Sequence, residues 1–206
     1  MIRRRTALVV SAAGLLAVAP LLTACGSTPH PGAAAVVGKE RITVAQLQGR
    51  VDDVREAQRS APQGAQLLAA SGRLGQDTLV RLIQYRVIEK AGEDSGVEVT
   101  RREVQERRAQ VERMLGGAQA VEARFLAAGI APDGIDQELR VGLIRSKLED
   151  ALGKDRAGEV LRKTSDSLGV QVNPRYGTWD AKRGTARPAQ EPWLRPAVQD
   201  EQAGPA

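Results

Sequence analysis

The stretch Gln76–Gly96, QDTLVRLIQYRVIEKAGEDSG, constrains the fold of this chain more than any other. Leu79, Val80, Leu82, Ile83, Val87 and Ile88 cover more than half of a helix circumference, and a helix that apolar is buried in a core. Aromatic residues cannot replace it, because the 206 residues include only two Trp, two Tyr and one Phe. The core must therefore be aliphatic and helical. The length fits one domain, or one domain with tails.

The flanking segments read as further helices with short strands at both ends. AAAVVGKERIT gives a strand, a turn at Gly38 and re-entry at Ile42. Thr43 to Gln46, TVAQ, is a capping box, in which Thr43 and Gln46 each satisfy a free backbone donor. Val44, Leu47, Val51 and Val54 follow at helical spacing, which predicts a helix over 44–58, ended by SAPQG. Gly92 and Gly96 close the apolar helix, and Val97 to Val99 lead to a second capping box, TRRE, at Thr100 to Glu103. The helix this box opens, 101–115, is crowded with charge and leaves only Val104, Val111, Met114 and Leu115 apolar. Arg102–Glu106, Glu103–Arg107 and Arg108–Glu112 are four apart, so each pair supports the helix by about 0.2–0.5 kcal/mol. The charged face reads as the solvated side of a protruding hairpin rather than as a docking surface.

Gly116 and Gly117 break the chain, and a helix over 118–128 carries Val121, Phe125 and Leu126. Another over 134–152 points Ile135, Leu139, Leu143, Leu148 and Leu152 inward. Asp155 is placed to cap a last helix, striped by Ala157, Val160, Leu161, Thr164 and Leu168 and stopped at Gly169. VQVNPRYGTWD returns to strand alternation. From Ala181 to Ala206 the chain is polar, rich in Pro, Gly and Gln, and aperiodic, the pattern of a disordered tail. The expected fold is mainly α: a helical cradle of about five to six helices, with short N- and C-terminal strands placed to pair with each other.

The start has a different character. MIRRRTALVVSAAGLLAVAP has the cationic end and apolar segment of a secretory signal. Its apolar part, Ala7 to Leu22, is 16 residues long and interrupted by Gly14 and Pro20, short for a stable membrane span. LTAC, Leu22 to Cys25, holds the only cysteine of the chain and resembles the lipobox of bacterial lipoproteins. The resemblance implies cleavage between Ala24 and Cys25 and a diacylglyceryl group on the Cys25 sulfur. Two acyl chains give a firm anchor where one is marginal. The expected organisation is a signal peptide over 1–24, a lipidated tether over 25–33, a domain over 34–180 and a tail over 181–206. The expected place is the extracytoplasmic face of the cell membrane, bound to its lipid bilayer.

Several chemistries are excluded on residue types. A single Cys forms no internal disulfide and no Cys-built zinc site. The only histidine, His30, lies between prolines in GSTPHPGAAA, which removes Ser-His and Cys-His catalysis and His-built metal sites. GGAQAVEARFLAAG lacks the lysine of a phosphate loop. No catalytic residue, metal ligand, small-molecule substrate or cofactor other than the lipid is indicated. Arg3, Arg4 and Arg5 supply three of the +5 net charges, and the remaining charge, about +2, gives no argument for nucleic acid.

The order of elements resembles the N-terminal chaperone domain of the SurA/PrsA group of extracytoplasmic folding factors. The matching stretches are AAAVVGKERITVAQLQGRV and LVRLIQYRVIEKAGEDSGVEVTRREVQERRAQV, followed by IDQELRVGLIRSKL and VLRKTSDSLGVQVNPRYGTWD. The GVEVTRREV step is the most specific of these. Val37-Gly38 stands where the group has an Asn-Gly turn. Full-length relatives insert a parvulin-type prolyl isomerase domain before the last helix, and here Leu152 runs through GKDR directly into that helix. The resemblance implies the client-holding part without isomerase activity, and so not an enzyme. It implies a cradle whose apolar surface grips unfolded or newly exported polypeptides, for which Leu79, Leu82, Ile83, Met114 and Phe125 are the candidates. An envelope scaffold or adaptor holding one specific protein partner is the alternative.

Overall fold

A computed structural model describes residues 32–187. The proposed signal peptide, Ala24, Cys25 and residues 188–206 lie outside the described residues. Among the described residues there are seven α-helices and five short strands. The expected mainly α fold is what is found.

β1 (Ala33–Val37) and β2 (Glu40–Thr43) form an antiparallel hairpin whose turn uses Gly38 at φ +61°. β3 (Gln171–Val172) pairs antiparallel with the other edge of β1, so the sheet order is β2-β1-β3 and the two ends of the domain meet as expected. Both capping boxes form. The Thr43 hydroxyl accepts from Gln46 N, and the Gln46 side chain accepts from Thr43 N, opening α1 (Val44–Ser60). Thr100 and Glu103 do the same for α4 (Arg101–Leu115).

Between α1 and the apolar helix lies α2 (Gly64–Ala70), which the sequence reading did not anticipate. It is 7 residues long and has no side-chain cap, so neither periodicity nor a capping motif marks it. A Cβ on Gly64 would lie 2.5 Å from the Gln58 carbonyl oxygen, so glycine lets the chain fold back against the end of α1.

The apolar helix is α3 (Leu74–Asp94), and it serves two cores. Its Leu79, Ile83 and Val87 pack with Leu47, Val51 and Val54 of α1 and with β1. One turn on, Ile88 and Ala91 join Val121 of α5 (Ala118–Ala127) and Ile135, Ile144 and Leu148 of α6 (Ile135–Leu152). A Cβ on Gly92 would lie 2.6 Å from Ile144 Cγ2, so this glycine sets how closely α3 and α6 approach. α7 (Lys154–Leu168) completes the bundle. Its N-cap is Gly153, and Asp155 stands inside the first turn rather than at the cap. Leu152, expected to face inward, is exposed.

α4 buries only Val104 and carries Met114 and Leu115 exposed at its far end. Two of the expected ion pairs form, Arg102–Glu106 at 2.8 Å and Arg108–Glu112 at 3.2 Å. Glu103 instead pairs with Lys147 of α6. Lys147 and the Thr100 backbone N–H together hold the Glu103 carboxyl at about 2, well below its ordinary 4.5. A lowered carboxyl pKa stabilises the fold above the unfolded value and loses that contribution as pH falls through the folded one. The stability difference between the wild type and Glu103→Gln is therefore expected to be full above pH 4.5 and to shrink as pH falls towards 2. Urea unfolding across that range measures it, and a difference independent of pH would refute the pairing.

The tail differs from expectation. Residues 181–187 are ordered, forming a turn and β5 (Thr185–Arg187), which pairs antiparallel with β4 (Thr178–Asp180). Asp180 organises the hairpin: it accepts from Arg187 Nε at 3.0 Å and Nη2 at 2.6 Å, and from the backbone N–H groups of Lys182 and Arg183. The Arg187 guanidinium holds the Asp180 carboxyl below its ordinary value. Trp179 Nε1 donates to Ser165 Oγ of α7 at 3.0 Å, which docks the hairpin on the bundle.

Candidate functional site

The helical spacing that buries Leu79, Ile83 and Val87 turns Thr78, Leu82, Tyr85 and Glu89 to another side of α3. These four residues form one stripe, at intervals of four, three and four. They line a cleft of about 570 Å³. Its other walls are α1, through Arg50 and Asp53, the α5–α6 connection, through Ile130 and Asp133, and the start of α6, through Gln137.

Hydrogen bonds fix these walls relative to one another. The Tyr85 hydroxyl donates to Glu138 Oε2 at 2.6 Å. Burial and the neighbouring Glu138 carboxylate push the Tyr85 phenol well above its ordinary value, so it stays neutral and keeps its proton. Arg81 lies 3.5 Å from Glu138 and donates to the Gly129 and Ala128 carbonyls at 2.8 Å each, satisfying the exposed end of α5. Gln137 donates to Glu89 at 2.7 Å, and Arg86 pairs with Glu40 at 2.8 Å. Arg50 and Asp133 meet at 2.8 Å and bridge α1 to the α5–α6 connection.

One feature of the floor remains available to a ligand. Leu82 is half-buried against the first core. Thr78 is 5% exposed, and its Oγ1 has no hydrogen-bond partner among the described residues. The cleft thus has an apolar floor and a charged rim, while the Thr78 hydroxyl is buried. Among the described residues no group of three or more His, Cys, Asp or Glu side chains is placed to hold a metal ion.

The five sequence candidates separate. Leu79 is 1% exposed and Ile83 0%, so both fill the core and neither offers a surface in this conformation. Leu82 lines the cleft. Met114, 67% exposed, stands at the end of α4, and Phe125 is half-buried against the second core. The structure therefore does not bring these five into one patch. Sequence reasoning missed Tyr85, Arg50 and Thr78. The signal for Thr78 and Tyr85 was present, as a mixed stripe with Leu82 opposite the aliphatic one.

The chain matches the family model described as the SurA-like N-terminal domain over residues 1–149, and it belongs to that family. The matched span ends within α6, so α7 and the strands after it lie beyond it. No curated protein and no solved structure matches the chain. The family's domain is of chaperone type. Among the described residues no helix is long and apolar enough to cross a membrane.

Proposed function

We propose that this protein is a membrane-anchored, extracytoplasmic chaperone-like lipoprotein that holds unfolded or newly exported polypeptides in the cleft between α1, α3 and the α5–α6 connection. The observation that carries the reading is the cleft of about 570 Å³, present in a domain of the SurA-like family. A chain segment laid there would set apolar side chains on Leu82. The anchor is a diacylglyceryl group on Cys25, supported by LTAC after an apolar run headed by arginines.

Isomerase activity is not part of the proposal. Only Gly153 separates α6, ending at Leu152, from α7, starting at Lys154, which supports that reading. The test uses residues 26–206 against several unrelated, chemically unfolded clients, followed by light scattering. Suppression of aggregation at near-stoichiometric ratios is the expected result, weakened by Leu82→Ala. A charged rim confers partner specificity, and Arg50, Asp53 and Asp133 give this cleft one. Failure with every client would therefore favour an envelope adaptor with one dedicated protein partner.

A further inference from the structure

A second pocket, of about 160 Å³, lies where the β4–β5 hairpin docks on α3, α6 and α7. It shares no lining residue with the cleft. Four cations from three separate elements surround it: Arg145 of α6, Arg162 of α7, and Lys182 and Arg183 of the hairpin turn. No carboxylate lines it.

Two of the nearby carboxylates are already engaged. Asp180 is turned beneath the hairpin and satisfied by Arg187 and two backbone N–H groups. Glu159, one turn back on α7, pairs with Lys163 at 2.8 Å. Among the described residues Arg145, Arg162 and Lys182 have no carboxylate within 4.0 Å, and Arg183 only reaches Asp180 at 4.0 Å. Four cationic side chains line one mouth with no carboxylate closer than 4.0 Å among the described residues, and such an arrangement favours a bound anion.

The pocket is also held in shape. Gln84 Nε2 donates to the Gly184 carbonyl at 2.7 Å, and Trp179 Nε1 donates to Ser165, so both ends of the turn are fixed to the bundle. A carboxylate is planar and suits a single guanidinium fork. A phosphate group presents oxygens in several directions and suits cations arriving from several elements. We propose that this pocket binds a phosphate group, either free or carried by a lipid headgroup.

The test uses the full chain in a neutral detergent with Trp193→Phe, so that the indole N–H resonance of Trp179 reports the pocket. Inorganic phosphate, dihexanoylphosphatidylglycerol and dihexanoylphosphatidylcholine are titrated at ionic strength held constant with chloride. A saturable shift with phosphate or phosphatidylglycerol is expected. Tighter binding of phosphatidylglycerol identifies a lipid headgroup, and equal or tighter binding of phosphate identifies a free anion.

Arg145→Gln with Arg162→Gln should weaken binding by about tenfold or more. Lys182→Gln with Arg183→Gln, which leaves the bundle untouched, should do the same. Arg101→Gln with Arg102→Gln on α4 should leave it unchanged. No saturable shift with either phosphate ligand overturns the proposal, as does an equal loss in the α4 variant, which would mark general charge screening.

Discussion

Ile83→Ala is expected to lower the stability of the domain by about 2–5 kcal/mol, the range for truncating a buried large aliphatic residue. Ile83 is fully enclosed, and it packs in the core that joins α1, β1 and α3. The void cannot close easily, because α3 is also pinned to the second core through Ile88 and Ala91. Leu82→Ala, one residue earlier, removes a half-buried side chain from the cleft floor and should cost clearly less. The pair separates folding from holding. Ile83→Ala should shift the urea midpoint strongly, while any folded fraction still suppresses aggregation. Leu82→Ala should nearly keep the midpoint and lose suppression. A loss below about 1 kcal/mol for Ile83→Ala would mean that the site collapses or is open to solvent, contrary to the packing described.

That contrast also marks how far the sequence could be read. The two capping boxes, the aliphatic stripe of α3 and the meeting of the terminal strands were legible, because each rests on local spacing or on alternation. Leu82 and Ile83 are adjacent in a helix apolar over more than half its circumference, so hydropathy alone could not say which faces the core. Their assignment depends on where α1 and α6 pack. The Tyr85–Glu138 and Glu103–Lys147 contacts join α3 and α4 to α6, and no local rule links residues so far apart. α2 was hidden by SAPQG, read only as a helix end. The hairpin at 178–187 was hidden by its brevity: three-residue strands carry little pattern, and tertiary contacts from Asp180 and Trp179 hold them.

Gly177→Ala should release this hairpin from the bundle. Gly177 has φ +113° and ψ −163°, a region open essentially to glycine alone that costs an L-residue about 1–3 kcal/mol before any contact is considered. A Cβ there would also lie 2.0 Å from the Arg187 carbonyl oxygen and 3.1 Å from its carbon. Those are backbone atoms of the paired strand, where Thr178 faces Arg187, so relief requires parting β4 from β5. Parting them also breaks the grip of Arg187 on Asp180. The expected loss is therefore at least about 2 kcal/mol. Trp179 should lose its Ser165 partner and shift its emission to the red, and the phosphate pocket should vanish with the hairpin. Gly72→Ala is the control, since its Cβ would meet nothing within 4 Å and its backbone carries no such strain. Equal behaviour of the two variants in Trp179 emission and thermal unfolding would show that the hairpin is not docked as described.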